Sequence, residues 1–424
     1  MTSSSSYPDG VAVIGLGYIG LPTAAALCSR GIVVKGVDVN EATVAAVSKG
    51  EVPIFEPDLD EAIERAVADG LLSATTDVPE ASAYLIAVPT PFVGDHQPDL
   101  TYVRAATESI APKLRGGELV ILESTSPPGT THQISEWLAQ ARPDLRLPHN
   151  SSTPDVFVAH CPERVLPGRI MVEIYENDRV VGGVTPECAE RAANLYREFC
   201  TGEILLTDAT TAEMAKLTEN SFRDVNIAFA NELDNVCRRM GLDVWEVIAL
   251  ANRHPRVNIL NPGPGVGGHC IAVDPWFIVA AAPEEARLIR TAREVNDARP
   301  LAVVADAVAR AAEAGGSVVC LGLAFKADID DLRESPAVNI TAAIARELAP
   351  ATVYAVEPHI KSLPSSLAAL GNIELAETRT ALAAADVVVL LVDHRQFREI
   401  STEDLASKSV IDTRGLWRRV APQD

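Results

Sequence analysis

A glycine-rich turn between an apolar strand and an apolar helix constrains the fold of this chain more than any other feature. Val11 to Ile14 is a short apolar run typical of a buried strand, and it leads directly into Gly15-Leu-Gly17-Tyr-Ile-Gly20. An apolar-periodic stretch to Arg30 follows, and then a second strand with Asp38 at its end. Strand, glycine turn, helix, strand and acid in this order form the dinucleotide-binding fingerprint. The sequence therefore predicts a Rossmann-like domain at the start of the chain.

Each part of this fingerprint has a physical task. Gly15 permits a tight turn, Gly17 lets the backbone approach a pyrophosphate, and Gly20 lets the helix pack on the strand. Asp38 can accept hydrogen bonds from ribose hydroxyls and would repel a 2′-phosphate, so NAD is favoured over NADP. The alternative is a glycine-rich turn in another kind of α/β protein. The predicted cofactor-binding residues of this segment are Gly15, Gly17, Tyr18, Ile19, Gly20 and Asp38.

Charge and cysteine usage exclude several classes of protein. The formal net charge of -22 argues against binding to nucleic acid or to an anionic membrane, because both attract a positive surface. Charge, Gly or Pro interrupts every long apolar run, so no membrane span is predicted. The seven cysteines form no CxxC pair, so we predict no metal site and expect a reducing compartment. The polar, Ser-rich start of the chain is expected to be a frayed tail and not a signal peptide, which favours a cytoplasmic protein.

The C-terminal part of the chain repeats the plan of the first domain. Four apolar segments follow the order of the first half: a glycine turn follows the first, an acid follows the second, and polar residues follow the third and fourth. They are Val318 to Leu321 before Gly322, Val353 to Val356 before Glu357, Val387 to Val392 before Asp393, and Val410 to Ile411 before Asp412. The repeat lacks the full glycine fingerprint and has Lys326 at its turn. We therefore expect the C-terminal repeat to bind a phosphate-containing ligand other than a second NAD.

A long helix is predicted between the two repeats. Thr210 to Met240 contains neither Pro nor Gly, and it would span about 45 Å, which is more than a small domain needs. We expect it to bridge the two domains and to take part in dimerisation. Its apolar stripe, at three- and four-residue spacing, consists of Val225, Phe229, Leu233, Val236 and Met240. A second set shares one face and is either a solvated surface or a row of donors facing a cleft: Lys216, Asn220, Arg223 and Ile227.

The sequence thus predicts an α/β fold of two Rossmann-like domains with parallel sheets, joined by a central helical domain that contains the long helix. A chain of 424 residues is too long for a single ordinary core. The predicted bounds are residues 10–206 for the NAD-binding domain, 207–313 for the central domain and 314–424 for the C-terminal domain.

Two loops have the composition of a reactive site. Asn261 to Cys270 is so rich in Gly and Pro that it cannot form regular structure, so it is either a linker or a backbone built around a ligand. Linkers seldom end in a Cys flanked by His and Asp. A Cys near cationic groups becomes a nucleophile, so Cys270 is the candidate. In the second loop, Glu163 lies between Pro and Gly residues and is a candidate general base.

At this point the chain is identified as similar to the UDP-glucose/GDP-mannose dehydrogenase family, from Val11 to Gly415. The motifs that carry the resemblance are GLGYIGLP, VPTP, ESTSPPGT, PERVLPG, EMAKLTENSFRDVNIAFANE, PGPGVGGHCIAVDP, LAFKADIDDLRESPA and IDTRG. The variants HCPERVLPG, ENDRVVGG and NRHPRVNI are most similar to the branch that acts on UDP-N-acetyl-D-mannosamine. The branch acting on UDP-N-acetylglucosamine is the nearest competitor. His269 stands where enzymes acting on UDP-glucose commonly have Ser, which disfavours UDP-glucose.

The resemblance implies a four-electron oxidation of a sugar C6 alcohol to a carboxylate, through a thiohemiacetal and a thioester on Cys270. It implies that Lys216 transfers a proton or stabilises an alkoxide, and that Asn220 holds that oxygen or a water. Asp274 would orient the water or Lys216, and Glu163 would be the base for thioester hydrolysis.

The resemblance also implies the binding residues and the partners. Thr90, Thr125 and Arg333 would contact NAD. The residues implied for binding of the UDP-sugar by the C-terminal domain and its neighbours are Arg164, Val165, Lys216, Asn220, Arg223, His254, Arg256, Gly267 and Lys326. A homodimer is expected, with the loop from His254 to Arg256 reaching across its interface. The product would feed polysaccharide biosynthesis.

Several further classes of protein fit the residues less well. A β-hydroxyacid dehydrogenase shares the fold pattern and a Lys/Asn helix, but it lacks the GGHC loop and the C-terminal repeat. A zinc alcohol dehydrogenase needs Cys/His ligand spacing that is absent, and a short-chain dehydrogenase needs Tyr-xxx-Lys. A non-enzymatic NAD-binding sensor would retain Gly15 to Asp38 without needing Lys216 and Cys270.

Overall fold

The computed structural model describes residues 7–54, 56–94, 96–166, 168–268, 270–314 and 316–417. The chain forms two compact units. The first unit comprises Met1–Glu219 and Ala280–Pro283, and the second comprises Asn220–Val279 and Glu284–Asp424. The boundary between them falls inside the long helix.

The first unit is an α/β structure around an eight-stranded sheet and a short two-stranded hairpin. Its strands are β1 (Val11–Ile14), β2 (Val34–Val37), β3 (Leu72–Thr75), β4 (Ala83–Ile86), β5 (Phe92–Val93), β6 (Gln97–Pro98), β7 (Leu119–Leu122), β8 (Phe157–His160), β9 (Arg179–Gly183) and β10 (Ile204–Asp208). Its helices are α1 (Gly20–Cys28), α2 (Glu41–Val47), α3 (Leu59–Ala68), α4 (Thr101–Ile110), α5 (Thr130–Ala141), α6 (Ile170–Glu176) and α7 (Pro186–Arg197), with a 3₁₀ turn at Ala111–Lys113.

The order of the large sheet is β10-β9-β8-β7-β4-β1-β2-β3. Its neighbours are parallel except that β8 pairs antiparallel with β9. All four residues of β1 are buried. Val11 and Val13 face one hydrophobic cluster while Ala12 and Ile14 face the other. Because both faces of the strand are covered, β1 has the continuous apolar sequence typical of a parallel sheet and not an alternating one.

The second unit contains a smaller parallel sheet. Its strands are β11 (Val318–Leu321), β12 (Val353–Val356), β13 (Ile373–Leu375), β14 (Val387–Leu390) and β15 (Ser409–Asp412), in the order β13-β12-β11-β14-β15. This is the order of β3-β2-β1-β4-β7 in the first unit, so the predicted internal repeat and fold class are confirmed. The helices of this part are α12 (Pro336–Leu348), α13 (Ser365–Ala368), α14 (Thr378–Ala384) and α15 (Thr402–Leu405), with a 3₁₀ turn at Arg395–Glu399.

The remaining helices lie between the two sheets in the sequence. They are α8 (Ala209–Met240), α9 (Val244–Ala251), α10 (Asp274–Ala281) and α11 (Arg287–Ala314). The predicted long helix therefore begins within one residue of its expected start and ends at the expected residue. None of the described helices combines the length and the apolar character that crossing a membrane requires.

The long helix α8 buries polar residues where it packs on α11. Asp224 binds Arg293 at 2.6 Å, and Asn231 donates to Asn296 at 2.9 Å. Asp234 forms a further ion pair with Arg299. The predicted apolar stripe lies elsewhere on the helix: Phe229 is 52% exposed, Val236 48% and Met240 66%. The periodicity correctly identified residues that share a face, but only Leu233 of this face packs against a described core cluster, which is formed by Ala230, Cys237, Val244 and Ile248.

Candidate functional site

The glycine turn after β1 has the geometry that the fingerprint predicts. Gly15 has a φ of +98°, and a Cβ atom there would lie 2.4 Å from the carbonyl oxygen of Ala87. A Cβ at Gly20 would lie 1.9 Å from the carbonyl oxygen of Gly15. A Cβ at Gly17 would meet no described atom within 4 Å. Gly15 and Gly20 are therefore required by the fold itself, whereas Gly17 borders open space that a bound pyrophosphate can enter.

The N-terminus of α1, which follows this turn, is left uncapped by the protein. Its N-cap residue Ile19 makes no side-chain hydrogen bond, and the first turn contains no acidic residue. The N-terminus of α5 is different, because the carboxylate of Glu213 accepts hydrogen bonds from the backbone N–H groups of Gly129 and Thr131, at 2.5 and 2.7 Å. Of these two helix ends, the one at α5 is occupied by a protein carboxylate, whereas the one beside the glycine turn has no acidic residue in its first turn to oppose an anion.

Asp38 closes the other side of the turn. Its Oδ2 accepts from the backbone N–H of Leu16 at 2.9 Å, and its Oδ1 accepts from that of Asn40 at 2.9 Å. The side chain is only partly buried. These bonds fix the carboxylate at the carboxyl end of β2 while leaving it accessible, as contact with a ribose requires.

The remaining predicted NAD contacts are divided between the two units. Thr90 and Thr125 lie beyond the ends of β4 and β7, where the hydroxyl of Thr90 donates to the carbonyl of Thr125 at 2.5 Å. Tyr18 lies in the glycine turn and is partly buried. Arg333 lies in the second unit, is exposed, and binds Asp331 at 2.6 Å.

The predicted base Glu163 is buried in an ion pair. Glu163 is 8% exposed, and its Oε2 lies 3.3 Å from a guanidinium nitrogen of Arg179. Its Oε1 accepts from the backbone N–H of Arg164 at 2.8 Å. Both carboxylate oxygens therefore have partners, and a role as base requires one of them to turn outward.

Arg164 has an acidic partner that sequence reasoning did not predict. Its guanidinium binds Glu219 through two nitrogens, at 2.6 and 3.2 Å, and donates to the carbonyl of Asp178 at 3.0 Å. Glu219 lies between Lys216 and Asn220 in α8. The spacing of α8 offered a signal for this pairing, because an acid stood inside the predicted row of donors. Val165, which follows Arg164, is partly buried.

The residues around Cys270 form a connected group in the second unit. The amide of Asn220 donates to Oδ2 of Asp274 at 2.5 Å, and both residues are buried. The backbone N–H of Asp274 donates to the carbonyl of Cys270 at 2.9 Å. The structure thus links Asn220 through Asp274 to the backbone of Cys270. Lys216 is half-buried and lies one helical turn before Asn220 on α8.

Burial separates Cys270 from most of the other cysteines. Cys270 is exposed, Cys200 is partly buried, and the other five are buried. Burial raises the pKa of Cys28, of Cys161 and of Cys320 to about 12. A thiol with so high a pKa is not a nucleophile at neutral pH, because the thiolate is the reactive form.

The Gly-rich loop before Cys270 is anchored at two points. The backbone N–H of Gly263 donates to Asn231, and its carbonyl accepts from Arg299, each at 2.9 Å. A Cβ at Gly267 would lie 2.6 Å from the carbonyl oxygen of Glu334, so the loop passes too close to that segment for a side chain. The loop is therefore a fixed backbone and not a linker. His269, which belongs to the GGHC motif, lies outside the described residues.

The other cationic residues predicted to bind substrate are solvent-facing. They are Arg223, His254, Arg256 and Lys326. Arg414 was not predicted, although it belongs to the IDTRG motif. It lines a small cavity together with Gly265, Gly267 and Phe325, and it binds Asp393 at 2.9 Å.

A cluster of possible metal ligands lies in the second unit. The donor atoms of Asp328, His359 and His394 lie within 4.8 Å of one another. However, Nδ1 of His394 faces the backbone N–H of Asp328 at 2.9 Å, and its Nε2 lies 3.0 Å from Glu357. Both ring nitrogens of His394 are engaged, so we assign no ion to this cluster.

Comparison with known families matches three consecutive segments of the chain. Residues 9–200 match the NAD binding domain of the UDP-glucose/GDP-mannose dehydrogenase family, residues 210–298 its central domain, and residues 319–419 its UDP binding domain. The prediction of NAD as the cofactor is thereby confirmed.

Relatives and solved structures match over nearly the full chain. The NDP-N-acetyl-D-galactosaminuronic acid dehydrogenase of Ralstonia nicotianae is 58% identical over 416 residues, which is 97% of each chain. The UDP-N-acetyl-D-mannosamine dehydrogenase of Escherichia coli is 57% identical over 420 residues, 96% of this chain and 99% of that one. A solved structure of UDP-D-ManNAc dehydrogenase from Pyrococcus horikoshii superposes with a TM-score of 0.84 at 37% identity, covering 96% of both chains.

Proposed function

The chain belongs to the UDP-glucose/GDP-mannose dehydrogenase family, and from that premise we propose that it oxidises the C6 alcohol of a UDP-N-acetylhexosamine to a carboxylate. The single observation that supports this best is the group formed by Asn220, Asp274 and the exposed Cys270. We further propose the division into domains at residues 10–206, 207–313 and 314–424, and a cytoplasmic location.

The turn from Gly15 to Gly20 would hold NAD, which would supply the hydride acceptor for each of two oxidations, with one NAD molecule consumed per oxidation. The alcohol first becomes an aldehyde. The thiolate of Cys270 adds to the aldehyde carbon, and the resulting oxyanion takes up a proton to give a thiohemiacetal. Loss of a second hydride and of the hydroxyl proton gives a thioester. Water then breaks the carbon–sulfur bond, releasing the carboxylate and the thiol.

The polar residues have separate tasks in this scheme. Lys216 exchanges a proton with the C6 oxygen or stabilises it as an alkoxide. Asn220, held by Asp274 at 2.5 Å, presents its amide to the same oxygen or to a water. Asp274 also orients the turn that contains Cys270, through its backbone N–H. Glu163 activates the water that hydrolyses the thioester.

Cationic groups would bind the two phosphates of the substrate. We assign this to Arg223, Arg256 and Lys326, which are solvent-facing and donate strong hydrogen bonds to phosphate oxygens. His254, Val165 and Gly267 complete the proposed binding set. Arg164 belongs to it as well, and its pairing with Glu219 means that it would contribute less net charge than Arg223, Arg256 or Lys326.

The identity of the sugar rests on motif variants and on relatives. HCPERVLPG, ENDRVVGG and NRHPRVNI favour UDP-N-acetyl-D-mannosamine, and so does the relative from E. coli. The relative from R. nicotianae, which is equally similar, keeps an N-acetylgalactosamine derivative open. UDP-N-acetylglucosamine and UDP-glucose are the remaining candidate sugars. We propose UDP-N-acetyl-D-mannosaminuronate as the product and polysaccharide biosynthesis as its use.

We also propose that the protein is a homodimer that buries the apolar stripe of α8. The opposite face of this helix is already used by polar contacts to α11, whereas Phe229 and Val236 of the stripe are exposed, and so is Phe222, which lies seven residues before Phe229. A second copy offers the same stripe and can cover it with the same residues. Phe229→Glu should give a monomer in sedimentation equilibrium, and a dimer retained by that variant would contradict the assignment.

The test of the proposed activity is the yield of NADH per sugar consumed. UDP-N-acetylmannosamine, UDP-N-acetylglucosamine, UDP-N-acetylgalactosamine and UDP-glucose are each supplied with excess NAD. About two NADH per sugar, with one sugar preferred, are expected because the thioester route needs two hydride transfers. Cys270→Ala should form no acid, whereas the control Cys200→Ala should form it normally. About one NADH would indicate an ordinary alcohol dehydrogenase, and none with any sugar would favour an NAD-binding sensor.

A further inference from the structure

A buried cluster beneath Glu163 contains two carboxylates and one cation. Glu123, Glu163 and Arg179 are 1%, 8% and 4% exposed. Both terminal nitrogens of Arg179 lie 3.3 Å from Oε2 of Glu163. One of them also donates to the carbonyl of Ile174 at 3.0 Å. The guanidinium is therefore committed to Glu163, and within the described part of the chain Glu123 has no cation of its own.

The hydrogen bonds of Glu123 come from neutral donors. Its Oε1 accepts from the hydroxyl of Tyr196 on α7 at 2.7 Å, and its Oε2 from that of Thr23 on α1 at 3.3 Å. The other ionisable groups that face it are Arg179 at the start of β9, and Cys161 and Glu163 in the loop after β8. Two buried negative charges beside a single guanidinium would leave one uncompensated, so one carboxylate must hold a proton near neutrality.

The pairing shows which carboxylate holds it. Glu163 is paired with the guanidinium and accepts from a backbone N–H, whereas the donors to Glu123 are the neutral hydroxyls of Tyr196 and Thr23. Burial, together with the charge of Glu163, raises the pKa of Glu123 to about 7. The pKa of Tyr196 lies well above its usual value, because of burial and of the neighbouring thiol and carboxylate, so Tyr196 remains a donor.

We propose, on the basis of the proposed function, that Arg179 and Glu123 together position Glu163 for hydrolysis of the thioester. Arg179 is a positioning residue that holds Glu163 in a fixed orientation. While Glu123 is neutral, both terminal nitrogens of the guanidinium are engaged by Glu163, and its carboxylate is held inward. Once Glu123 has lost its proton, the two carboxylates share one guanidinium, and an oxygen of Glu163 is released to turn outward toward the water that hydrolyses the thioester.

The first test is the rate of acid release against pH, followed by rapid quench from about pH 5.5 to about pH 8.5. The wild type should show a rise with a midpoint near the pKa of about 7, and Glu123→Gln should lack that rise. The matched control is Glu118→Gln. Glu118 is also buried, but it lies at the opposite end of β7, where its carboxylate accepts from the backbone of Arg115 and Gly116, so it should retain the rise. A Glu123→Gln variant with the wild-type rise overturns the proposal.

The second test separates positioning from folding. Arg179→Lys retains a charge but loses the second nitrogen, so kcat should fall by about tenfold or more while KM for the sugar changes by less than about twofold. An unchanged kcat with only a lower Tm would overturn the positioning role.

Thermal unfolding tests the proton on Glu123 without any need for activity. A folded-state pKa of about 7, raised from the ordinary 4.5, means that the bound proton stabilises the fold at low pH and that this stability is lost as the pH rises through 7. The Tm of the wild type should therefore fall more than that of Glu123→Gln between about pH 5 and about pH 8. Parallel curves would overturn the proposal. A wild type that makes no NADH from any sugar would instead refute the proposed function.

Discussion

The first strand–turn–helix of each unit uses the same glycine and acid geometry for different purposes. Gly15 and Gly322 both have a positive φ, at +98° and +90°. The acid at the end of the next strand accepts from the residue after the glycine in both units. Asp38 binds the N–H of Leu16 at 2.9 Å, and Glu357 binds that of Leu323 at 2.7 Å.

The two acids differ in what else contacts them. Glu357 is 4% exposed and also accepts from the backbone of Ala324 and from Nε2 of His394, at 3.0 Å each. Asp38 is partly exposed, and its carboxylate is held by the backbone N–H groups of Leu16 and Asn40. The acid of the first unit can therefore receive a ribose, whereas the acid of the second unit is a structural acceptor.

The two turns also differ in the space that they leave for a ligand. Two residues after the turn glycine, the first unit has Gly17 beside open space, whereas the second has Ala324, which is buried. The following helix α1 begins at once and is uncapped, whereas α12 begins only at Pro336 and is capped by Ser335. A shared fold therefore does not imply a shared ligand, because the acid is partly exposed in the first unit but buried against His394 in the second, where the helix start also has a side-chain cap.

The largest expected effect is on stability, from Glu357→Gln. Although burial alone would raise the pKa of Glu357, the hydrogen bonds from His394 and from the backbone hold it below its usual value. The variant should lose about 3 kcal/mol of unfolding free energy at neutral pH, because a buried charged acceptor becomes a neutral amide. A lowered pKa gives stability that is present at neutral pH and is lost on acidification, so the deficit should shrink below about pH 4.

Denaturant unfolding at several pH values measures this effect. Asp38→Asn is the matched variant in the first unit, and it should change stability by less than about 1 kcal/mol because its carboxylate is partly exposed. Equal losses in the two variants would show that the two acids have the same role.

The next effect is on cofactor affinity, from Gly17→Ala. This change gives the first turn the side chain that the second already has. The Kd for NAD should rise by about tenfold or more, because a methyl group would enter the space assigned to the pyrophosphate. The Tm should stay unchanged, since no described atom lies within 4 Å of the new methyl group.

Calorimetric titration with NAD provides the measurement for Gly17→Ala. Ala324→Gly is the reciprocal variant and should leave the affinity for NAD as in the wild type. An unaltered Kd for NAD in Gly17→Ala would show that the pyrophosphate does not bind at this turn.

The smallest expected effect is the loss of the helix cap in the second unit. The hydroxyl of Ser335 accepts from the backbone N–H of Ala337 at 3.2 Å, at the start of α12. Ser335→Ala should cost about 1 kcal/mol of unfolding free energy without changing the Kd for NAD. A thermal melt and the same titration check both statements, and a change in NAD affinity would mean that the two turns are not independent.

Local patterns were sufficient to predict the elements on which this comparison depends. The spacing of residues that are close in the sequence predicted the glycine turn, the acids that follow the strands and the long helix. The exposed Cys270 was also distinguishable from the buried cysteines by its Gly-rich surroundings.

Contacts between distant residues could not be predicted in this way. Arg179 is separated from Glu163 by 16 residues, and the antiparallel step at β9 depends on how the chain returns to the sheet. The buried face of α8 could not be predicted either. Periodicity shows which residues share a face of the helix, but it does not show which face packs against the rest of the chain. The polar groups Asp224, Asn231 and Asp234 lie on the covered side only because α11 supplies matching partners.

The polar contacts between α8 and α11 also fix the position of each helix along the axis of the other. A shift of one helical turn, about 5.4 Å, would break the contacts of Asp224, Asn231 and Asp234 together, whereas an apolar interface could repack after such a shift. Asn220 stands one turn before Asp224, and the loop that leads to Cys270 is tied to Asn231 through Gly263. The position of Asn220 relative to this loop is therefore set by the register of α8 against α11, at contacts one or more helical turns away from Asn220 itself.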